Sequence, residues 1–198
     1  MGRDKPQIIL ASASPRREQL LREMGLHFRI VVPRDVEELS AGAAPDVLAM
    51  QNAQRKARAV AGIHPNSLVI GADTVVILGG RFFGKPVDWA DAHRMLTELA
   101  GHRHDVITGV CLAHRALDTE LLFADTTRVF MRALSPAQIA EYLSRIDPLD
   151  KAGAYAIQEF GDGIIDRIEG SYSNVVGLPT ERLRATLERL GMIRNDPA

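Results

Sequence analysis

The sequence predicts an α/β protein built on a mixed sheet, and three observations predict it. Short apolar runs alternate with helical segments through the first half of the 198 residues. The run SLVIGADTVVIL is nearly all apolar, as expected of a strand covered on both faces. Two long β-rich segments, HDVITGVCLAHR and ELLFADTTRVFMR, then follow one another with only a short join, which favours a hairpin.

Each element has its own local reason. QIIL is the first strand; Ser14 follows it as an N-cap, Pro15 takes the first helical position, and Gly25 ends the helix. HFRIVV is the second strand. From Pro45 to Gly62 the composition is helical. SLVIGADTVVIL ends at Gly79-Gly80, a turn that sends the chain back through RFFGKP. Between Trp89 and Ala100, the residues Ala92, Met95, Leu96 and Leu99 form one helical stripe. The two β-rich segments join around Leu117-Asp118. SPAQIAEYL opens with a capping box, Ser135 and Gln138, and has Pro136 at its first position. GIIDRIEG is a late strand. TERLRATLERLG is a closing helix with Leu183, Leu187 and Leu190 as its apolar stripe. No repeat, low-complexity tract or long linker divides the chain, so residues 1–198 are expected to form a single domain.

Composition narrows the function. Apolar residues make up 46% and the net charge is −1, so no bulk basic field exists to hold a nucleic-acid polymer or an anionic membrane. Neither a spanning apolar run nor a signal-peptide core is visible, and a cytoplasmic protein is expected. Cys111, the single cysteine, reads as a buried strand residue rather than a nucleophile.

Some polar residues stand where they are electrostatically expensive. Arg16 and Arg17 open the first helix, where the aligned peptide dipoles are already positive. Stepping back by three and four from Leu20, Leu21 and Met24 brings both near the buried edge. With the free N–H groups of the first turn they form a donor cluster suited to phosphate oxygens. The plain alternative is one arginine paired with a carboxylate and the other solvated. Lys56 shares a helix face with Ala49, Ala53 and Val60, whereas Arg55 and Arg58 fall on the opposite side with Gln51. Taken alone, Lys56 is expected to snorkel along the apolar surface to water.

Asp73 interrupts an apolar strand, and an isolated carboxylate there costs several kcal/mol unless it is paired or metal-bound. A catalytic or metal-linked role is preferred over a buried salt bridge with an arginine. Lys85 in FGKP and Lys151 in DKAGAY are loop lysines with flanking Gly or Pro. The glycine-rich stretch around Tyr155, Gln158, Ser171 and Asn174 lets backbone approach a ligand closely, or is a set of tight turns. His102 and His104 share a strand face but lack further ligands at zinc-like spacing, and are expected to be solvated. Glu37 and Glu38 read either as a surface acidic pair or as carboxylate ligands for Mg²⁺.

In order along the chain, LASASPRREQLL, the KA at Lys56, GADTVV, GKP, TGV and DKAGAYAIQEFGDGIIDRIEGSYSNVVGLP resemble the Maf family of nucleoside triphosphate pyrophosphatases. The resemblance implies a Maf/ITPase-like two-lobed α/β fold with a central cleft. It also implies hydrolysis of a nucleoside triphosphate to monophosphate and pyrophosphate with a divalent cation, Mg²⁺ or Mn²⁺, in a homodimer. Carried over by position, Ser12, Arg16, Arg17, Lys56 and Lys85 handle the phosphates. Asp73 is the general base and a metal ligand, and Glu37 or Glu38 helps to hold the metal. Thr74 and Gln158 resemble the branch acting on dTTP and UTP. A glutamine amide, as donor and acceptor, matches the O4 and N3–H edge of uracil or thymine. Arg16 joins them as a specificity residue. The rival readings are a 7-methyl-GTP pyrophosphatase and a nucleotide-sensing regulator of cell division.

Overall fold

A computed structural model describes residues 6–34, 36, 39 and 43–193 of the chain. Its first strand, β1 (Ile8–Ala11), is buried throughout and pairs in parallel on both sides. Ile8 stands opposite Phe28 of β2 (Phe28–Ile30) and opposite Leu68 of β3 (Leu68–Leu78). Parallel neighbours need a crossover, and helices α1 (Pro15–Glu23) and α2 (Pro45–Ile63) provide the two required here. Helix α1 begins as expected: Ser14 Oγ accepts the Arg17 N–H at 3.5 Å, and Gly25 leaves the helix at φ 73°.

Gly79 and Gly80, at φ 56° and 81°, turn β3 into the antiparallel β4 (Arg81–Phe83), with Val76 opposite Phe83. After α3 (Trp89–Leu99), strands β5 (Arg103–His114) and β6 (Thr119–Met131) are joined by a 3₁₀ turn at Arg115–Leu117. Helix α4 (Pro136–Leu143) carries the expected capping box. The glycine-rich stretch, read above as a ligand-approach segment or a set of tight turns, contains a 3₁₀ turn at Ala152–Ala154 and two short helices. These are α5 (Gly161–Ile164) and α6 (Tyr172–Val176), with β7 (Ile165–Glu169) between them. Strand β7 runs antiparallel to β6, Arg128 opposite Glu169, with a register shift between Phe130 and Met131. The strands pair in the order β2-β1-β3-β5-β6-β7, with β4 on β3, so the sheet is mixed as predicted.

Contacts divide the chain into two compact units. The first comprises residues 1–73, 108–125 and 177–198, and the second residues 74–107 and 126–176. In the first, α2 lies against bare backbone. A Cβ on Gly71 of β3 would stand 2.3 Å from the Ala53 carbonyl oxygen, and one on Gly109 of β5 2.3 Å from the Ala49 carbonyl carbon. Ala53 and Ala57 fill the remaining space with Ile9, Val69 and Cys111. The same approach lowers the side chains of Asn52 and Lys56 onto β3.

Helix α7 (Thr180–Arg189) closes the first unit. Leu183 and Leu187 are buried, but Leu190 is only half-buried and Thr186 takes the buried position, its hydroxyl satisfied by the Arg182 carbonyl at 2.8 Å. Back-bonding of this kind lets a threonine occupy an apolar helix face. In the second unit, Ala92, Met95, Leu96 and Leu99 of α3 pack with Val106, Val129, Ile139 and Tyr155 into one core.

Candidate active site

Asp73 is the sixth residue of an eleven-residue strand, just past the point where pairing with β1 ends at Ala11 opposite Gly71. Ser12 leaves β1 at that level. The ends of β1 and α1 and the middle of β3 therefore meet in the first unit at the carboxyl end of its parallel strands, where ligands bind in open α/β sheets.

The Asp73 side chain is buried and both of its oxygens are engaged from α2. Lys56 Nζ stands 2.7 Å from Oδ1, and Asn52 Nδ2 donates to Oδ2 at 3.1 Å. The inward face predicted for Lys56 is correct, but its expected escape to water is not. Its side chain is 12% exposed and ends on Asp73, because the strand beneath α2 offers a carboxylate closer than solvent. The alternative partner for Asp73, an arginine, gives way to this lysine.

Sequence reasoning missed Asn52. Its amide accepts the Leu39 N–H at 2.8 Å and donates to the Leu39 carbonyl at 3.0 Å, besides reaching Asp73. A signal was available: Asn52 lies four residues before Lys56, on the same helix face.

At the start of α1, Arg17 turns back rather than outward. Its Nε donates to the Gly177 carbonyl at 2.9 Å and its Nη1 to Ser12 Oγ at 3.3 Å. Ser12, itself buried, also accepts the Ser14 N–H at 3.1 Å. Arg16 is half-buried on the same first turn. Arg17 and Ser12 are thus tied together where β1 gives way to α1.

Thr74, Lys85 and Gln158 belong to the second unit. Thr74 is half-buried directly after Asp73. Lys85 is exposed, in a loop fixed on one side by the buried Pro86 and on the other by the Gly153 N–H, which donates to the Gly84 carbonyl at 3.0 Å. The GKP and DKAGAY segments are therefore tied together. Gln158 is exposed on a turn. Lys151, taken above for a loop lysine, is buried, with Nζ 2.8 Å from Asp150 Oδ1 and 3.3 Å from Glu159 Oε1.

His102 is exposed, but His104 is not solvated as expected. It is buried, with Nε2 2.7 Å from the Tyr155 hydroxyl. Burial holds its pKa down at about 4, so the ring is neutral at physiological pH. The shared strand face does not form, because β5 begins at Arg103 and leaves His102 in a bend, while Tyr155 of the DKAGAY segment covers His104. Cys111 is buried and its thiol is pushed up to about 12 by desolvation, which makes it inert as a nucleophile.

Among the described residues no three His, Cys, Asp or Glu side chains gather as a metal cage. Glu37 and Glu38 lie outside the described residues. Asp73 remains as a donor: each of its oxygens accepts one bond from α2, which leaves lone pairs on both. One carboxylate suits an ion such as Mg²⁺, held mainly by substrate phosphate oxygens and water. No described helix is long and apolar enough to cross a membrane.

The chain is similar to known proteins over most of its length. A family model described as Maf-like protein matches residues 7–190. The chain is 45% identical over 186 residues to a dTTP/UTP pyrophosphatase of Koribacter versatilis, covering 94% of this chain and 95% of that protein. It is 45% identical over 192 residues to a dTTP/UTP pyrophosphatase of Myxococcus xanthus, covering 97% and 96%. Among solved structures, the Ham1 protein of Staphylococcus aureus aligns with a TM-score of 0.53 at 18% identity, over 93% of this chain and 99% of that one, a likeness of fold alone. With its motifs in order and the family model matched from the first strand to the end of the last helix, the chain belongs to the Maf family.

Proposed function

We propose that this protein hydrolyses dTTP and UTP to the monophosphate and pyrophosphate, in the cytoplasm, as a homodimer, with a divalent cation and no nucleic-acid polymer as partner. The observation that carries the chemistry is a buried carboxylate, Asp73, gripped by a lysine and an amide in the unit that also carries the arginine-rich start of α1. The activity for which the two relatives are named supports the substrate.

In this reading Ser12, Arg16, Arg17 and Lys56 bind phosphate oxygens. Arg17 does so from a position fixed by its bonds to Gly177 and Ser12. Asp73 accepts the proton of a water that attacks the α-phosphorus, the bond from that phosphorus to the bridging oxygen breaks, and pyrophosphate leaves. Charge grows on the phosphoryl oxygens during this displacement, so fixed cations stabilise the transition state more than the ground state. Asp73 would hold Mg²⁺ or Mn²⁺ together with Glu37 or Glu38, and the ion would supply further charge neutralisation on the phosphates. For the second unit we infer that Lys85 meets a phosphate oxygen and that Thr74 and Gln158 read the base.

The test is a substrate panel. Purified protein with Mg²⁺ is given dTTP, UTP, CTP, GTP, ATP and 7-methyl-GTP, and monophosphate and pyrophosphate are quantified. Selective turnover of dTTP and UTP is expected. Turnover of 7-methyl-GTP alone would overturn the base assignment while keeping the reaction. Tight binding with no turnover would make the protein a nucleotide sensor instead.

A further inference from the structure

The turn that carries Gln158 is anchored through Ala156, Glu159 and Phe160. Tyr142, buried on α4, accepts the Ala156 N–H at 3.0 Å and donates its hydroxyl to the Ala156 carbonyl at 3.2 Å. Lys151, only 5% exposed at the side chain, donates to the Asp147 carbonyl at 2.7 Å and to Asp150 Oδ1 at 2.8 Å, and forms an ion pair with Glu159 Oε1 at 3.3 Å. Phe160 closes the turn in a left-handed conformation at φ 57°, with the Arg145 guanidinium 4.4 Å from its ring centre. A left-handed non-glycine residue persists where its surroundings over-determine it, commonly beside a functional group. Gln158 is exposed and makes no side-chain hydrogen bond to a described residue.

A glutamine amide cannot by its bonding pattern separate uracil from guanine. Uracil presents an O4 acceptor beside an N3–H donor, and guanine presents an O6 acceptor beside an N1–H donor. The guanine edge lies one fused ring farther from the ribose. Only the place at which the amide is held distinguishes the two.

We propose that Lys151 is a positioning residue for base selection: by holding Glu159 against the Asp147–Asp150 loop, it fixes the turn so that Gln158 meets a pyrimidine edge and falls short of a purine edge. This rests on the assignment of Gln158 as the base reader. A rigid turn confers selectivity because the ordering of the amide is completed before substrate binds.

The test compares Lys151→Met, Glu159→Gln and Gln158→Ala with the parent enzyme. The readouts are KM and kcat for UTP, the inhibition constant of GTP as a competitor, and the inhibition constant of pyrophosphate. Lys151→Met is expected to lower the preference for UTP over GTP by about tenfold, through KM, with kcat within about twofold and pyrophosphate inhibition unchanged. Glu159→Gln removes the ion pair from a side chain that is 39% exposed and is expected to move the preference by about threefold in the same direction. If Lys151→Met does not fold, Glu159→Gln decides by the same ratio. If Gln158→Ala lowers the preference while both clamp variants keep the parent ratio, the role of Lys151 is overturned and the base reader stands. If Gln158→Ala keeps the parent ratio, the base reader is overturned and the clamp with it.

Discussion

Lys56 Nζ lies 2.7 Å from one oxygen of Asp73, while Asn52, one helical turn earlier on α2, holds the other oxygen at 3.1 Å. A single helix face therefore grips both ends of one buried carboxylate. In the resting protein this arrangement satisfies a charge that the apolar strand around it could not tolerate. Each oxygen of the carboxylate accepts one bond from α2, which leaves lone pairs on both.

Asp73→Asn preserves the shape of the side chain and removes its charge. The expected result is a fall in kcat of about 10²- to 10⁴-fold, the usual contribution of a positioned general base. Binding of dTTP should stay within a few-fold of the parent, measured by calorimetry beside the rate of pyrophosphate release. A variant that turns over at the parental rate sinks the base assignment.

Asn52→Leu removes three hydrogen bonds at once, two to Leu39 and one to Asp73, and strands polar groups in a buried place. Destabilisation of about 2–3 kcal/mol is expected, with kcat reduced by about tenfold. Chemical denaturation and steady-state rates check both values. An unchanged denaturation midpoint would mean that water replaces the amide at no cost.

Gly109→Ala places a methyl group 2.3 Å from the Ala49 carbonyl carbon, and backbone cannot swing aside as a flexible side chain can. Helix α2 must shift, so a loss of about 3 kcal/mol or more is expected, together with activity, because Lys56 and Asn52 ride on that helix. Gly62→Ala on the same helix meets nothing within 4 Å, and is expected to stabilise by about 0.5–1 kcal/mol. The two variants should move the denaturation midpoint in opposite directions.

His104 sets an acid limit to stability. Its ordinary pKa of 6.5 is held down at about 4 by burial, so below pH 6.5 the unfolded chain takes up a proton that the folded chain refuses. Stability is therefore fully present above pH 6.5 and declines as the pH falls toward 4, by up to about 3 kcal/mol in all. His104→Gln, which retains a hydrogen-bonding side chain for Tyr155, should flatten that slope. Equal slopes for parent and variant between pH 6.5 and 4 would remove His104 from the acid transition.

The sequence by itself determined the features that depend on near neighbours. The Ser14-Pro15 helix start, the Gly79-Gly80 hairpin, the Ser135–Gln138 capping box and the α3 stripe all stand where the local pattern put them. It also exposed Asp73 as too expensive to be idle and turned Lys56 inward, since both follow from strand and helix periodicity. Only the tertiary structure decided which groups meet. Lys56, rather than an arginine, answers Asp73 from 17 residues away, and Asn52 answers it from 21. Tyr155 covers His104 across 51 residues, and Gly177 receives Arg17 across 160. The partners of Asp73 depend on how closely α2 settles onto Gly71 and Gly109, and the other two pairs on which distant segments pack together, neither of which local spacing encodes. Thr186 in place of Leu190 is the same lesson at small scale: a helix pattern names a face, and the surface it packs against fixes which residues are covered.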